Sequence, residues 1–272
     1  MRNSKAKRKQ QTVSAVKIII AFLIIVIVLF PIYLMFVSSV KPKSEVFDMQ
    51  LIPQTFTMDG YQKALDENLA QYFLNSLFVS ATVTLAALAF HAMAGYVLAR
   101  IPFSGRNGVF LGILSTMMIP FSVIMIPLFI MMKQFDWLNS YQGLILPAIP
   151  TLTVFSSSVS SSSPCPRIWT RPPPSTAAPN SVFLPKSCCP SSKSICITLA
   201  VAFFIANWNN YLWPLIVTQK NNMWVLQIAL ANFIGRSDTP WNAIMASGVI
   251  TVIPIIFDFP LPAKIFGRGH QK

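Results

Sequence analysis

Residues 18–37 read IIIAFLIIVIVLFPIYLMFV, an apolar run without a charged side chain. A helix needs roughly 20 mainly apolar residues to cross the hydrocarbon core of a bilayer, and this run meets that length. Arg2, Lys5, Lys7, Arg8 and Lys9 stand just before it. A basic start ahead of an apolar core is also the pattern of a signal peptide. Here the core is too long, and no small-x-small cleavage site follows. The run reads as a retained first span whose basic flank stays in the cytoplasm.

The rest of the chain repeats this signal. Of its 272 residues 54% are hydrophobic and 11% charged, and the mean hydropathy is +0.57. A soluble domain carries about 25% charged residues, so this chain cannot cover its surface with charge, and lipid is part of its solvent. Six spans are read, at about 18–37, 73–94, 109–132, 143–163, 195–217 and 241–261; in the fourth the apolar pattern stops after Phe155. Pro120, Pro127, Pro147, Pro214 and Pro254 fall inside spans, where neighbouring helices satisfy the backbone groups that a proline frees. The fold class expected is an all-α membrane protein with both termini cytoplasmic. It comprises a basic amino terminus (1–17), a transmembrane region (18–262) with a cytoplasmic loop at about 164–194, and a short tail (263–272).

Charge tests the orientation. The net charge of +13 invites a nucleic-acid reading, but the basic residues are sorted by loop. Of the 21, only Lys41, Lys43, Lys63, Lys133, Lys220 and Arg236 fall outside under this topology, which is the bias that the positive-inside rule demands. The basic start sets topology and touches anionic lipid, and no nucleic-acid partner is expected. Acids sort the other way. Seven of the eight are external, Asp258 lies in the last span, and no cytoplasmic loop holds any. The external stretch 41–71 has room for a turn at Asp59-Gly60 and a short helix over 61–69. Cys165, Cys188, Cys189 and Cys196 lack zinc-site spacing, and His91 and His270 are far apart, so no metal is expected. No Gly-rich phosphate loop occurs, so the chain is not expected to bind ATP itself.

Four strings follow one another along the chain. Tyr72-Phe73-Leu74-Asn75-Ser76-Leu77 opens the second span, and Thr116-Met117-Met118-Ile119-Pro120 lies in the third. Leu138-Asn139-Ser140-Tyr141 with Gly143-Leu144-Ile145-Leu146-Pro147 opens the fourth, and Asn207-Trp208-Asn209-Asn210-Tyr211-Leu212-Trp213-Pro214-Leu215 closes the fifth. In order and spacing they resemble the permease subunits of bacterial carbohydrate-importing ABC transporters of the maltose, lactose and glycerol-phosphate type. The resemblance covers nearly the whole chain outside 156–193. It implies a type I importer fold in the cell inner membrane and a chain that is not an enzyme. The implied partners are a sister permease, an ABC ATPase dimer that binds the ATP, and an extracytoplasmic sugar-binding protein, with substrate passing by alternating access.

The family's cytoplasmic signature, an Asp-Glu-Ala-Ala…Gly coupling helix, is missing where it is due. That place is occupied by a serine run over 156–163 and then by Ile168-Trp169-Thr170-Arg171-Pro172-Pro173-Pro174-Ser175-Thr176-Ala177. Three prolines in series forbid a helix, since each lacks the amide donor and clashes with the preceding turn. Such composition is usual in a low-complexity linker, but a sharper reading exists. Codons for Ile168 to Pro173 written ATC TGG ACG AGG CCG CCC, taken one base earlier with a G supplied, decode as Asp-Leu-Asp-Glu-Ala-Ala. In that frame Ser175-Thr176-Ala177 becomes Ile-Asp-Gly, the serine run becomes rich in phenylalanine, and Ser187-Cys188-Cys189-Pro190-Ser191 becomes Ile-Val-Leu-Pro-Leu. The last residues, 261–271, decode in another frame to a string that resembles the family terminus. A frame error, or a real frameshift, is therefore expected at about 156–193 and again near the carboxyl terminus. It accounts for the missing cytoplasmic acids and for the clustered cysteines.

On this resemblance Thr170, Arg171, Pro172, Pro173, Ser175, Thr176 and Ala177 occupy the coupling position without its chemistry. For substrate, polar groups inside spans are the first candidates, because burying them in lipid costs free energy. Asn207, Asn209 and Asn210 are positioned to bond sugar hydroxyls, and Trp208 or Tyr211 to stack on a sugar face. The alternative for these residues is interhelical hydrogen bonding. Asn75 and Ser76 read as helix-start or packing residues, and His91 as packing. A proton-coupled sugar carrier needs paired intramembrane carboxylates and repeated halves, and a membrane-embedded enzyme needs convergent titratable groups at span ends. Neither pattern is seen.

Overall fold

The computed structural model describes residues 2–48, 50–116, 118–150, 190–234 and 238–258. Every regular element among them is helical. The opening run forms part of α1, Arg2–Ser39, and from Val16 to Phe30 its side chains are all exposed. Among the described residues nothing covers this stretch, and a helix apolar on every side beyond Lys17 suits lipid. A 3-10 turn, Lys43–Glu45, precedes α2, Asp59–Asp66. The short helix thus starts at Asp59, where the sequence reading put a turn. Thr57 Oγ1 accepts the Asp59 amide at 3.2 Å just ahead of the first turn, and the N-cap, Met58, supplies no side-chain bond.

The next helix, α3, runs over Leu69–Arg100, beyond both ends of the expected second span. The expected third span is two helices, α4 (Arg106–Thr116) and α5 (Phe121–Gln134), bent by 94° at the break. Pro120 stands at the N-cap of α5 and excludes helical backbone from the residue before it. The Ile119 amide falls back on the Thr116 carbonyl at 3.2 Å, an i to i−3 bond that closes α4. The expected fourth span starts as α6, Tyr141–Ile145, and a 3-10 turn, Leu146–Ala148. Its remainder and the loop after it, residues 151–189, lie outside the described residues, as do 259–272.

The expected fifth span is also divided, into α7 (Pro190–Trp208) and α8 (Leu212–Val217). Residues 221–223 form a 3-10 turn, and α9 covers Leu226–Ile234, where the sequence reading had only a loop. The last helix, α10, is Trp241–Asp258. Among the described residues two helices are able to cross a membrane by length and composition, α1 and α3, or three if the bent α4–α5 pair counts as one; α7 and α10 add shorter apolar stretches.

The chain divides into two compact units. The first comprises Met1–Leu69 and Asn232–Val252. In it α2 presses its amino end on the chain so closely that a β-carbon on Gly60 would stand 2.7 Å from the Asn242 carbonyl oxygen. Ser39 Oγ and Tyr61 Oη share a hydrogen bond of 2.9 Å, Phe47 meets Trp241 edge to face, and Lys43 pairs with Asp238. The second unit comprises Ala70–Ala231 and Ile253–Lys272. Its core includes Val79, Val83 and Leu144 in one cluster and Met132, Trp213 and Val217 in another.

Candidate functional site

Within the second unit three of the four strings meet. The Asn207–Leu215 string is where α7 ends and α8 begins. Pro214 has no amide to give the Asn210 carbonyl, so a helix through this stretch lacks a rung. The Asn207 side chain bonds the Phe203 carbonyl at 2.9 Å and Asn209 that of Ile205 at 3.0 Å. Both amides therefore reach back four residues on their own helix, where side-chain bonding competes with the backbone ladder. Asn209 also makes a bond between helices, the alternative for it, with Gln227 of α9.

Trp208 is 1% exposed. Phe204 stacks on it at 5.6 Å and Phe73 meets it edge-on at 5.4 Å. Its ring packs within this chain, on Phe204 and Phe73. Tyr211, the other aromatic candidate, is 40% exposed. Asn210 is half-buried and Asn209 exposed. Gln227 of α9 comes to the same place, its Nε2 3.4 Å from Asn209 Oδ1 and 3.5 Å from the Trp208 carbonyl. The sequence reading missed Gln227, although a lone glutamine in the apolar string LQIALANFI was a signal to be weighed.

Beside this break the strings are tied by hydrogen bonds. Trp213 is buried, and its Nε1 donates to the Gly143 carbonyl at 2.9 Å. Gly143 is a glycine because a β-carbon would stand 2.3 Å from the Trp137 carbonyl oxygen. Ser140 caps α6, its Oγ accepting the Gly143 amide at 3.2 Å. Asn139 adopts a φ of +55°, left-handed backbone that asparagine tolerates better than most residues. From there its Oδ1 accepts the amides of Gln219 at 2.6 Å and Lys220 at 2.8 Å, and its own amide bonds the Val217 carbonyl at 3.0 Å.

The remaining string supplies a clasp. Tyr141 Oη donates to Asn75 Oδ1 at 2.8 Å, while Asn75 Nδ2 bonds the carbonyls of Asn222 at 3.0 Å and Trp224 at 2.9 Å. Ser76 Oγ accepts the Leu226 amide at 2.7 Å and so caps α9 from another helix. Asn75 and Ser76 stand inside α3 rather than at its start. His91 is buried, with Nδ1 2.6 Å from the Ala87 carbonyl and its ring 5.4 Å from Phe203. Thr170, Arg171, Pro172, Pro173, Ser175, Thr176 and Ala177 lie outside the described residues. Among the described residues no three His, Cys, Asp or Glu side chains gather as metal ligands.

This arrangement holds a broken helix against α3, α6 and α9, with polar groups at the break. No protein-family model matches the chain. Its sequence is 30% identical to the arabinooligosaccharides transport system permease protein AraQ of Halalkalibacterium halodurans, with 97% of each chain covered. It is 28% identical to AraQ of Bacillus subtilis, over 89% of this chain and 88% of the relative. It is 27% identical to the sn-glycerol-3-phosphate transport system permease protein UgpE of Rhizobium meliloti, over 90% and 91%. Among solved structures, one chain of a bacterial ABC transporter involved in the import of the acidic polysaccharide alginate shares the fold, with a TM-score of 0.82. That match is 20% identical and covers 94% of this chain and 97% of the other. With the string resemblance, the end-to-end match at 30% identity settles the family: the chain belongs to the permease subunits of bacterial sugar-importing ABC transporters.

Proposed function

We propose that the chain is one half of a heteromeric permease that passes a sugar, an oligosaccharide or a polyol phosphate across the inner membrane by ATP-driven alternating access. The observation that carries this is the match over 97% of both chains to a permease of an arabinooligosaccharide system. In this reading the chain crosses the membrane six times with both termini in the cytoplasm. A sister permease completes the pathway, two ATPase subunits bind the ATP, and an extracytoplasmic binding protein delivers the substrate. The chain is not an enzyme and holds no cofactor of its own.

Substrate contact falls to Tyr211 and Asn210, since Trp208 is buried on Phe204 and the side chains of Asn207 and Asn209 are both engaged within the chain. The coupling element falls at 164–194, and its working sequence is the shifted frame, in which Asp-Leu-Asp-Glu-Ala-Ala stands at 168–173. The literal frame offers the ATPase no carboxylate, and three prolines in series oppose a coupling helix there. Co-purification tests the assembly. With the shifted frame restored, the tagged chain should carry one sister permease and two ATPase copies. A transport-competent homodimer free of any ATPase contradicts the reading.

A further inference from the structure

Between α1 and α2 the chain makes a loop that is closed at both ends and exposes large apolar side chains beside the polar Gln50, Gln54 and Thr55. The Thr57 amide bonds the Val40 carbonyl at 2.9 Å, so residues 40–57 leave α1 and return to it. Lys41 is buried inside the loop, and its Nζ donates to the carbonyls of Asp48 at 2.9 Å and Gln50 at 2.8 Å. No residue from 50 to 58 is charged. Leu51, Ile52 and Phe56 are all exposed, Ile52 most of all at 77%.

The height of this loop along α1 is fixed by one bond. Tyr33 Oη donates to the Leu51 carbonyl at 2.7 Å. Tyr33 stands six residues before the end of the apolar stretch Val16–Ser39, about 9 Å down the helix axis at 1.5 Å per residue. Tyrosine is favoured at the level of the headgroups, and interfacial apolar groups sink roughly 5–10 Å into the boundary with the acyl chains. The carbonyls of Asp48, Gln50 and Leu51 already have donors, which immersion out of water requires.

We infer that the 50–58 loop lies in the membrane interface as a strap along α1, with Leu51, Ile52 and Phe56 against lipid. Lipid is the occupant because these side chains continue, at the height of Tyr33, the surface that α1 exposes over Val16–Phe30. The inference rests on α1 being a membrane span. Lys41 acts as an internal counter-group that keeps the strap's carbonyls bonded away from water.

Depth-dependent quenching tests it on the full chain assembled with its partner subunits. The native cysteines are replaced by serine and bimane is placed singly at Ile52→Cys, Phe56→Cys, Lys63→Cys and Ile24→Cys. The complex is reconstituted in phosphatidylethanolamine–phosphatidylglycerol vesicles. Labels at 52 and 56 should be quenched by lipid carrying a nitroxide at a shallow acyl position and lose most of their quenching by aqueous iodide. The label at 63, exposed on α2, should behave in the opposite way. Iodide quenching at 52 and 56 without lipid quenching overturns the strap. Shielding from both quenchers also overturns it and assigns the loop to a protein contact. Lipid quenching at 24 distinguishes the two failures: where 24 is quenched and 52 and 56 are not, only the strap falls. Where 24 is unquenched as well, the membrane reading of α1 falls with it.

Discussion

Gly143 and Asn139 each carry a demand that only their own side chains meet. A methyl group on Gly143 has to displace the Trp137 carbonyl, which is backbone and does not swing aside. Gly143→Ala should therefore lower stability in detergent by roughly 1–3 kcal/mol, the usual cost of overpacking, read as a fall in the thermal midpoint. Trp213→Phe should cost a similar amount, about 1–3 kcal/mol, because the Gly143 carbonyl then loses its buried donor. Asn139→Ala loses both the tolerance for left-handed backbone and the acceptor for two amides, so a loss of roughly 2–4 kcal/mol is expected. Asn139→Gly keeps the backbone freedom and should lose clearly less; equal losses would show that the backbone conformation contributes nothing. At Asp238 the hydrogen bond from Lys43, and then the Lys43 charge, hold the carboxyl below its ordinary value. Any stability from this exposed pair is present above the unfolded carboxylate range and is lost as pH falls through the lowered value. All of these residues except Lys43 and Asp238 sit in strings visible in the sequence or next to one. Their roles were not visible, because a hydrogen bond between positions 139 and 219 leaves no periodic trace in either segment.

Apolar length gave the helices at the level of elements. Long runs without charge announced α1 and α3, and the shorter runs announced α7 and α10. Breaks were harder to see. Pro120 and Pro214 lie in stretches apolar enough to read as continuous spans, yet each ends helical bonding upstream of it, and the chain answers with two helices where one was expected. The α9 helix was missed because its nine residues are too few to cross a membrane. Its start is held from outside by Ser76. Ser76→Ala should leave the Leu226 amide without a partner and cost about 1 kcal/mol, the usual worth of a cap. Hydrogen exchange should report it as faster exchange over 226–229, with α3 unchanged. Equal protection in both proteins would mean that α9 is held by its buried apolar face alone, through Leu226, Ile228 and Ala229.

At the scale of the whole molecule the fold class and the family were legible, because lipid solvent imposes composition and the four strings carry their order. The contacts of the candidate residues were less so: Trp208 is buried on Phe204 and Phe73, and the Asn207 side chain bonds the Phe203 carbonyl. The six-span topology predicts that reporter fusions after Gln134 and within 220–236 lie outside and fusions after Arg106 inside; a cytoplasmic signal from 220–236 would contradict it. The central claim is that this chain moves sugar only when its cytoplasmic loop can engage an ATPase. In the literal frame Pro172, Pro173 and Pro174 stand in series, and an interior proline costs a helix about 3 kcal/mol relative to alanine. The direct measurement is uptake of radiolabelled arabinooligosaccharide, maltose, lactose and sn-glycerol 3-phosphate. The host is a strain carrying the partner subunits, with the literal and frame-restored chains compared at equal membrane abundance. The restored chain should accumulate at least one of these substrates in an ATP-dependent manner, and the literal chain should insert yet accumulate none. Equal uptake by both, or none by either with the partners assembled, would contradict the account.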